Sequence, residues 1–205
     1  MMGKLFGNKN QNQLNEKQLY ERRYSSSCGS ILLVVAFTLI NGLLLIAKSN
    51  TYFLFTAWVP YLLLDVGMYL CGKYPAEYYE GNVADYSFMN NGVFSFLIGA
   101  ALLIVLLYLV CWYIAKKGKV VGIIGGLVLM LIDTGIMLVW CGINADMIMD
   151  IVFHAWMIFS MISGISGYFK LKKYEKEHPE LPPEQPTFDI NNGFDYNDTN
   201  NGNNM

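Results

Sequence analysis

Four ionisable residues lie inside otherwise apolar stretches of the sequence, and they are the first candidates for chemistry. They are three carboxylic acids and one imidazole: Asp65, Asp133, Asp150 and His154. An ionisable side chain at membrane depth costs about 3 kcal/mol on insertion scales, so such residues are candidates for function. A carboxylate that faces an imidazole can share a proton with it, bind a cation or orient a small polar ligand.

The spacing of these residues predicts where they lie relative to one another. Asp133 stands 8 residues before the end of one apolar segment, and His154 stands 7 residues after the start of the next. At about 1.5 Å per residue both are roughly 10–12 Å below the same surface. Asp150 precedes His154 by one helical turn and shares its face. Asp65 is expected in the same leaflet, so the four side chains are predicted to form an intramembrane polar cluster.

A structural interpretation of the same residues stays open. Asp133 and His154 can hydrogen-bond simply to hold a helical hairpin together, as polar residues between membrane helices do. Asp150 can lie at a helix N-terminus, where a negative charge is favourable. No further His or Cys stands at metal-ligand spacing, and no nucleophile motif is present. We therefore predict no catalytic residue, no metal site and no cofactor.

The composition excludes several classes of protein. The chain has 205 residues, of which 54% are hydrophobic and 15% charged, and its mean hydropathy is +0.34. Soluble domains carry about 25% charged residues. A soluble enzyme, a disordered chain and a nucleic-acid binder are excluded, and the expected surroundings are a lipid bilayer. The four cysteines form no C-x-x-C, which argues against a thiol oxidoreductase.

Five apolar segments follow a polar start, and each is close to the roughly 20 residues that span a bilayer as a helix. They are 30–47, 51–71, 93–115, 120–141 and 147–169. The predicted fold is an all-α integral membrane protein, a bundle of five hydrophobic helices. Segment 51–71 is expected to be kinked or re-entrant, because Pro60 interrupts it and Thr51 to Phe55 are aromatic-rich.

Three regions are predicted along the chain. Residues 1–28 form a polar N-terminal tail, 29–170 a transmembrane helical domain, and 171–205 a Pro- and Asn-rich disordered C-terminal tail. Within the first tail, Leu14 to Tyr24 can form a short amphipathic helix, although a solvated tail is the preferred interpretation. The first apolar segment is expected to be a retained signal anchor rather than a cleaved signal peptide.

The distribution of Lys and Arg gives a conflict about orientation. Five full crossings divide the fourteen basic residues almost evenly between the two sides. If one of the first two segments enters and returns, both tails and the loop 116–119 lie together, and only Lys73 is certainly on the other side. The positive-inside rule favours this four-crossing alternative. Both models place the loop 116–119 and the C-terminal tail in the cytoplasm.

Small residues recur at the spacing that lets membrane helices approach closely. They are Gly122, Gly126, Ser160, Ser163, Gly164 and Gly167. Packing within the chain is the preferred interpretation, and a homo-oligomer is the alternative.

Three stretches carry a resemblance to known proteins: Ser49–Pro75, Asp150–Trp156 and Tyr168–Lys173. Together they resemble a family of uncharacterised small multi-pass membrane proteins of low-GC Gram-positive bacteria. The resemblance implies a bacterial cytoplasmic membrane, and it implies no activity.

Two functions are compatible with these features. The first is a non-enzymatic structural, sensory or accessory subunit that works with a membrane-protein partner, which suits short loops and free tails. The second is a small transporter or ion-coupled permease that uses the Asp/His cluster, because interrupted membrane segments are common at transporter sites.

Overall fold

The computed structural model describes residues 3–49 and 51–179, and over these ranges it holds five α-helices and no strand. The helices are α1 (Gly3–Ile46), α2 (Trp58–Leu70), α3 (Asn91–Lys116), α4 (Val120–Cys141) and α5 (Ile148–Glu177). The predicted all-α architecture of five hydrophobic helices is confirmed.

Four of these helices, α1, α3, α4 and α5, are long and apolar enough to cross a membrane. The exception is α2, which has only 13 residues. Such a helix is about 20 Å long, whereas the hydrocarbon core of a bilayer is about 30 Å thick. The helix α2 is therefore too short to cross the hydrocarbon core by itself.

The two ends of the bundle can be assigned from contacts between helices. At one end, the Tyr24 hydroxyl of α1 donates to the carbonyl of Ala115 near the end of α3, at 2.6 Å. The Tyr24 ring also lies 5.7 Å from that of Tyr168 on α5. We call this the basic end, since the α3–α4 turn and the end of α5 both carry lysines there. The opposite end, with the loop 71–90 and the α4–α5 turn, is the loop end.

Residues 51–70 enter the bundle from the loop end and return to it. Their extended part descends along α1, so that Phe53 bonds to Asn41 and, deeper, Ala57 bonds to Thr38. The helix α2 then rises again, and Leu64 reaches Gly42. At its end, the Leu70 carbonyl accepts a bond from the Met89 amide beside the start of α3. Of the two alternatives for segment 51–71, the structure has the re-entrant one.

The position of Pro60 explains how this segment is built. Pro60 is the third residue of α2, within its first turn. The first amides of a helix have no partner inside that helix, so the missing N–H of a proline removes no helical bond there. Pro60 therefore lies in the first turn of a short helix and does not kink a longer one.

Two boundaries differ from the sequence-based regions. Helix α1 begins at Gly3, so the stretch predicted as a polar tail continues directly into the first apolar segment as one helix. Helix α5 continues to Glu177, beyond the predicted end of the transmembrane domain at residue 170. The predicted disorder of the C-terminal tail concerns mainly residues 180–205, which lie outside the described part of the chain.

The small residues lie where helices of this chain come close together. A Cβ placed on Gly164 would lie 2.2 Å from the Ser27 Cβ of α1, and one on Gly122 would lie 2.3 Å from the Ala115 amide. Ser160 shares a hydrogen bond of 2.8 Å with Ser30 of α1. Gly126, Gly167 and Ser163 also face α1. These residues join α5 and α4 to α1, and α4 to α3.

Candidate functional site

Asp133 of α4 lies at the centre of the polar cluster, and its carboxylate binds the start of α2. Its Oδ2 accepts a bond from the Trp58 amide and its Oδ1 accepts one from the Val59 amide, both at 2.8 Å. The Nε2 atom of His154 on α5 lies 3.2 Å from the same Oδ2. Both Asp133 and His154 are only 3% exposed. One side chain thus joins α4 to α2 and α5.

Every free backbone N–H at the start of α2 has a hydrogen-bond acceptor. A helix leaves its first four amides without internal partners, and these belong here to residues 57–60. The Ala57 amide donates to Thr38 Oγ1 at 2.8 Å. The next two amides donate to Asp133, and Pro60 has no N–H to satisfy. The negative carboxylate also complements the partial positive charge of a helix N-terminus.

The partners of the His154 ring define how many protons the pair holds. Its Nδ1 lies 2.8 Å from the Asp150 carbonyl, which can only accept a bond, so Nδ1 carries a proton. Its Nε2 faces a carboxylate oxygen, so a second proton lies between Nε2 and Oδ2 of Asp133. The pair is then either an imidazolium and a carboxylate or a neutral imidazole and a carboxylic acid. In both forms it holds no net charge, which suits its burial.

The structure brings together only part of the predicted cluster. Asp133 and His154 are in contact, and Asp150 contributes its backbone carbonyl to the His154 ring. Asp65 is not part of this group. It lies two helical turns along α2 from the Asp133-bound amides and accepts a hydrogen bond from the Tyr74 hydroxyl. Asp65 was predicted to lie toward the loop 71–90, and the structure places it there, beside Tyr74 and not in contact with the other three residues.

Two residues of α1 were not among the predicted site residues, although they hold the extended part of the re-entrant segment. Asn41 is 1% exposed, and its side-chain amide donates to the Phe53 carbonyl at 2.6 Å and accepts from the Phe53 amide at 2.8 Å. Thr38 binds the Ala57 amide. The sequence did contain a signal, because these two polar residues stand three apart on one face of an apolar helix.

Phe55 fixes the bend in the extended part of the segment. Its φ angle is 71°, in the left-handed region that bulky residues rarely adopt. The Phe55 ring lies 4.1 Å from that of Phe153 and 5.4 Å from that of Trp156, both on α5. Such a conformation costs about 1–3 kcal/mol and persists only where the surroundings fix it. Here the aromatic contacts with α5 provide that constraint.

Comparison with known proteins adds no family to this description. No protein-family model, curated protein or solved structure matches the chain. Among the described residues, no group of three or more His, Cys, Asp or Glu side chains is placed to hold a metal ion.

Proposed function

We propose that this multi-pass membrane protein is a non-enzymatic structural, sensory or accessory subunit of a bacterial cytoplasmic membrane. In this proposal Asp133 and His154 hold the re-entrant segment in place and do not handle a substrate. The observation that carries the proposal is the occupancy of the Asp133 carboxylate, which accepts two backbone amides and faces the His154 ring.

The burial of the pair supports this assignment. A group that acts on a substrate must come within hydrogen-bond reach of it, directly or through one water. Both oxygens of Asp133 are already engaged, and both ring nitrogens of His154 have protein partners. Each residue is only 3% exposed. Stabilising a half-helix inside the bundle is the role that uses all of these contacts.

We further propose that the basic end faces the cytoplasm. Of the fourteen Lys and Arg residues, only Lys48 and Lys73 belong to the loop end. The remainder belong to the first part of α1, the α3–α4 turn and the last part of α5. Positively charged flanks are retained on the cytoplasmic side of bacterial membranes. The proposal therefore places the loop 116–119 and the C-terminal region in the cytoplasm and the loop 71–90 outside.

The proposed subunit would work within the lipid bilayer, with another membrane protein or a second copy of the chain as its partner. Many large apolar side chains of the long helices are exposed, among them Leu103 at 58% and Phe159 at 69%. Such surfaces suit lipid or the apolar face of another membrane helix. The composition gives no basis for a nucleic-acid partner.

One observation favours a second candidate, a small transporter or ion-coupled permease. The start of α2 lies inside the bundle, and transporter sites are often built from half-helices whose N-termini point at the midplane. In this chain Asp133 occupies that N-terminus. A transporter would have to release these bonds, or exchange the proton shared with His154, in each cycle.

Proton flux and stability measured together separate the two candidates. The purified chain and its Asp133→Asn variant are reconstituted in vesicles containing a pH-sensitive dye, and a pH step is applied. The proposed function predicts equal proton leak for both proteins and a lower unfolding temperature for the variant. Flux that disappears in a variant of unchanged stability would instead establish transport.

Cysteine labelling tests the proposed orientation. The four native cysteines are replaced, and single cysteines are introduced as Asn10→Cys, Lys117→Cys or Asn82→Cys. A membrane-impermeant thiol reagent applied to intact cells should label only the protein with the Asn82 substitution. Labelling at position 10 with protection at 117 would mean five full crossings and would overturn the topology.

A further inference from the structure

A polar cavity of about 490 Å³ opens at the loop end, away from the Asp133 cluster. It lies between the end of α1, the outer half of α2 and the loop that follows α2. Pockets for small molecules typically measure about 300–1,000 Å³, so its size suits a small ligand. Its walls include four tyrosines and two acids, which are Tyr52, Tyr61, Tyr74, Tyr78, Asp65 and Glu77.

The tyrosines form two pairs. The rings of Tyr52 and Tyr61 meet edge to face, with their centroids 5.2 Å apart. Those of Tyr74 and Tyr78 stack at 4.9 Å with an interplanar angle of 18°. The faces of aromatic rings attract cations, and cages of such rings recognise ammonium groups. The first pair belongs to the re-entrant segment and the second to the loop 71–90, so a ligand between them would contact both.

The charges in the cavity also favour a cation. Asp65 and Glu77 contribute two carboxylates, and Lys48 contributes the one basic side chain among the lining residues. The Tyr74 hydroxyl donates to Oδ1 of Asp65, which orients this carboxylate. Burial, together with this hydrogen bond, raises the pKa of Tyr74 above its ordinary value, so the hydroxyl remains a donor at physiological pH.

We propose that this cavity binds an organic ammonium group, with the positive nitrogen near Asp65 and between the two tyrosine pairs. The group would belong to a soluble amine or to the ammonium headgroup of a lipid, because the cavity lies at the end of the membrane helices. A divalent metal fits the cavity less well, because the lining offers only two carboxylates and no group of three or more acidic, His or Cys ligands is found among the described residues. The proposal goes beyond the function argued above and does not depend on it.

Calorimetric titration tests the proposal on the full-length chain in detergent. Choline chloride and tetramethylammonium chloride are the probes, and sodium chloride at equal ionic strength is the blank. Saturable binding of the ammonium probes is expected. Asp65→Asn should weaken that binding about tenfold, because it removes the carboxylate charge that attracts the quaternary nitrogen. The matched control is Asp85→Asn, which changes an exposed loop acid outside the cavity and should leave the affinity unchanged.

Two further measurements make every outcome decisive. If Asp65→Asn does not fold, Glu77→Gln replaces it, because Glu77 is exposed on the loop and its substitution should still weaken binding severalfold. Titration in nanodiscs separates the sources of the ligand. Nanodiscs of phosphatidylglycerol diluted with phosphatidylethanolamine are compared with nanodiscs of phosphatidylglycerol diluted equally with an uncharged glycolipid, so that both surfaces carry the same charge. Weaker choline binding in the presence of phosphatidylethanolamine indicates a lipid headgroup, and equal binding indicates a soluble amine. No binding of either probe in phosphatidylglycerol nanodiscs, or equal binding by wild type and the acid variants, overturns the proposal.

Discussion

Replacing Asp133 by Asn tests the most specific consequence of the structure. The carboxylate presents acceptors to two adjacent amides, Trp58 and Val59, and a third partner, His154, shares one of its oxygens. An Asn side chain has one acceptor oxygen and one donor nitrogen. If its nitrogen faces Val59, that amide loses its partner. If the nitrogen takes the place of Oδ2, it can still hydrogen-bond to the His154 ring. The Trp58 N–H then faces another donor and has no acceptor.

The expected loss of stability follows from this geometry. Either orientation leaves one buried amide without an acceptor, at a cost of about 1–3 kcal/mol. The remaining backbone N–H now donates to a neutral oxygen and not to a carboxylate, which weakens that hydrogen bond by roughly 1 kcal/mol. Asp133→Asn should therefore lower the free energy of unfolding by about 2–4 kcal/mol. Asp133→Ala leaves both amides without acceptors and should cost more.

The assay is unfolding of the purified chain in detergent, followed by loss of helical circular dichroism. Asp150→Asn is the matched control, because only the backbone carbonyl of Asp150 binds His154 and the substitution retains it. The control should lose no more than about 1 kcal/mol, which is the worth of a negative charge in the first turn of α5. If Asp133→Asn is equally close to wild type, the carboxylate does not hold α2 and the structural assignment is refuted.

Three other substitutions address separate contacts, and each is measured in the same unfolding assay. Gly164→Ala should cost about 1–3 kcal/mol through overpacking against Ser27, whereas Gly135→Ala, which meets no neighbour within 4 Å, should leave stability unchanged or raise it by up to about 1 kcal/mol. Asn41→Leu should cost at least about 2 kcal/mol, because both backbone groups of Phe53 lose their partner. His154→Phe should cost about 3–5 kcal/mol, because it leaves the buried Asp133 carboxylate without its charge partner; a loss below about 1 kcal/mol would mean that the imidazole does not stabilise this carboxylate.

Much of the architecture could be predicted because membrane helices are selected by length and hydropathy. The equal depth of Asp133 and His154 also follows from spacing alone, whereas their contact does not. Two helices joined by a short turn run antiparallel, so residues at equal distances from the turn lie at equal depth. The distribution of the basic residues favoured four crossings, and the helix ends that carry most of these residues do lie at one end of the bundle. The number of crossings and the side of the membrane stay predictions.

The partner of Asp133 on α2 could not be predicted, because nothing in the sequence showed where α2 begins. Pro60 is compatible both with a kink inside a long helix and with the first turn of a short one. The choice between them depends on whether polar side chains elsewhere can satisfy the backbone that becomes exposed. Thr38 and Asn41 provide those groups, and they act across long sequence separations. Pairings of that kind are fixed only by the tertiary structure.

The intramembrane acid and the uneven distribution of basic residues are therefore linked by one feature, the re-entrant segment. Backbone that is not helical is tolerated at membrane depth only where protein or water satisfies it. The two adjacent backbone N–H groups at the start of α2 are bound by two acceptor atoms of one side chain. A carboxylate has two such oxygens, whereas the side chain of Asn has only one. Because α2 returns to the loop end, α1 and α5 have their tails at the same end. An acid at position 133 is thus a requirement of the backbone path that also brings the basic flanks together.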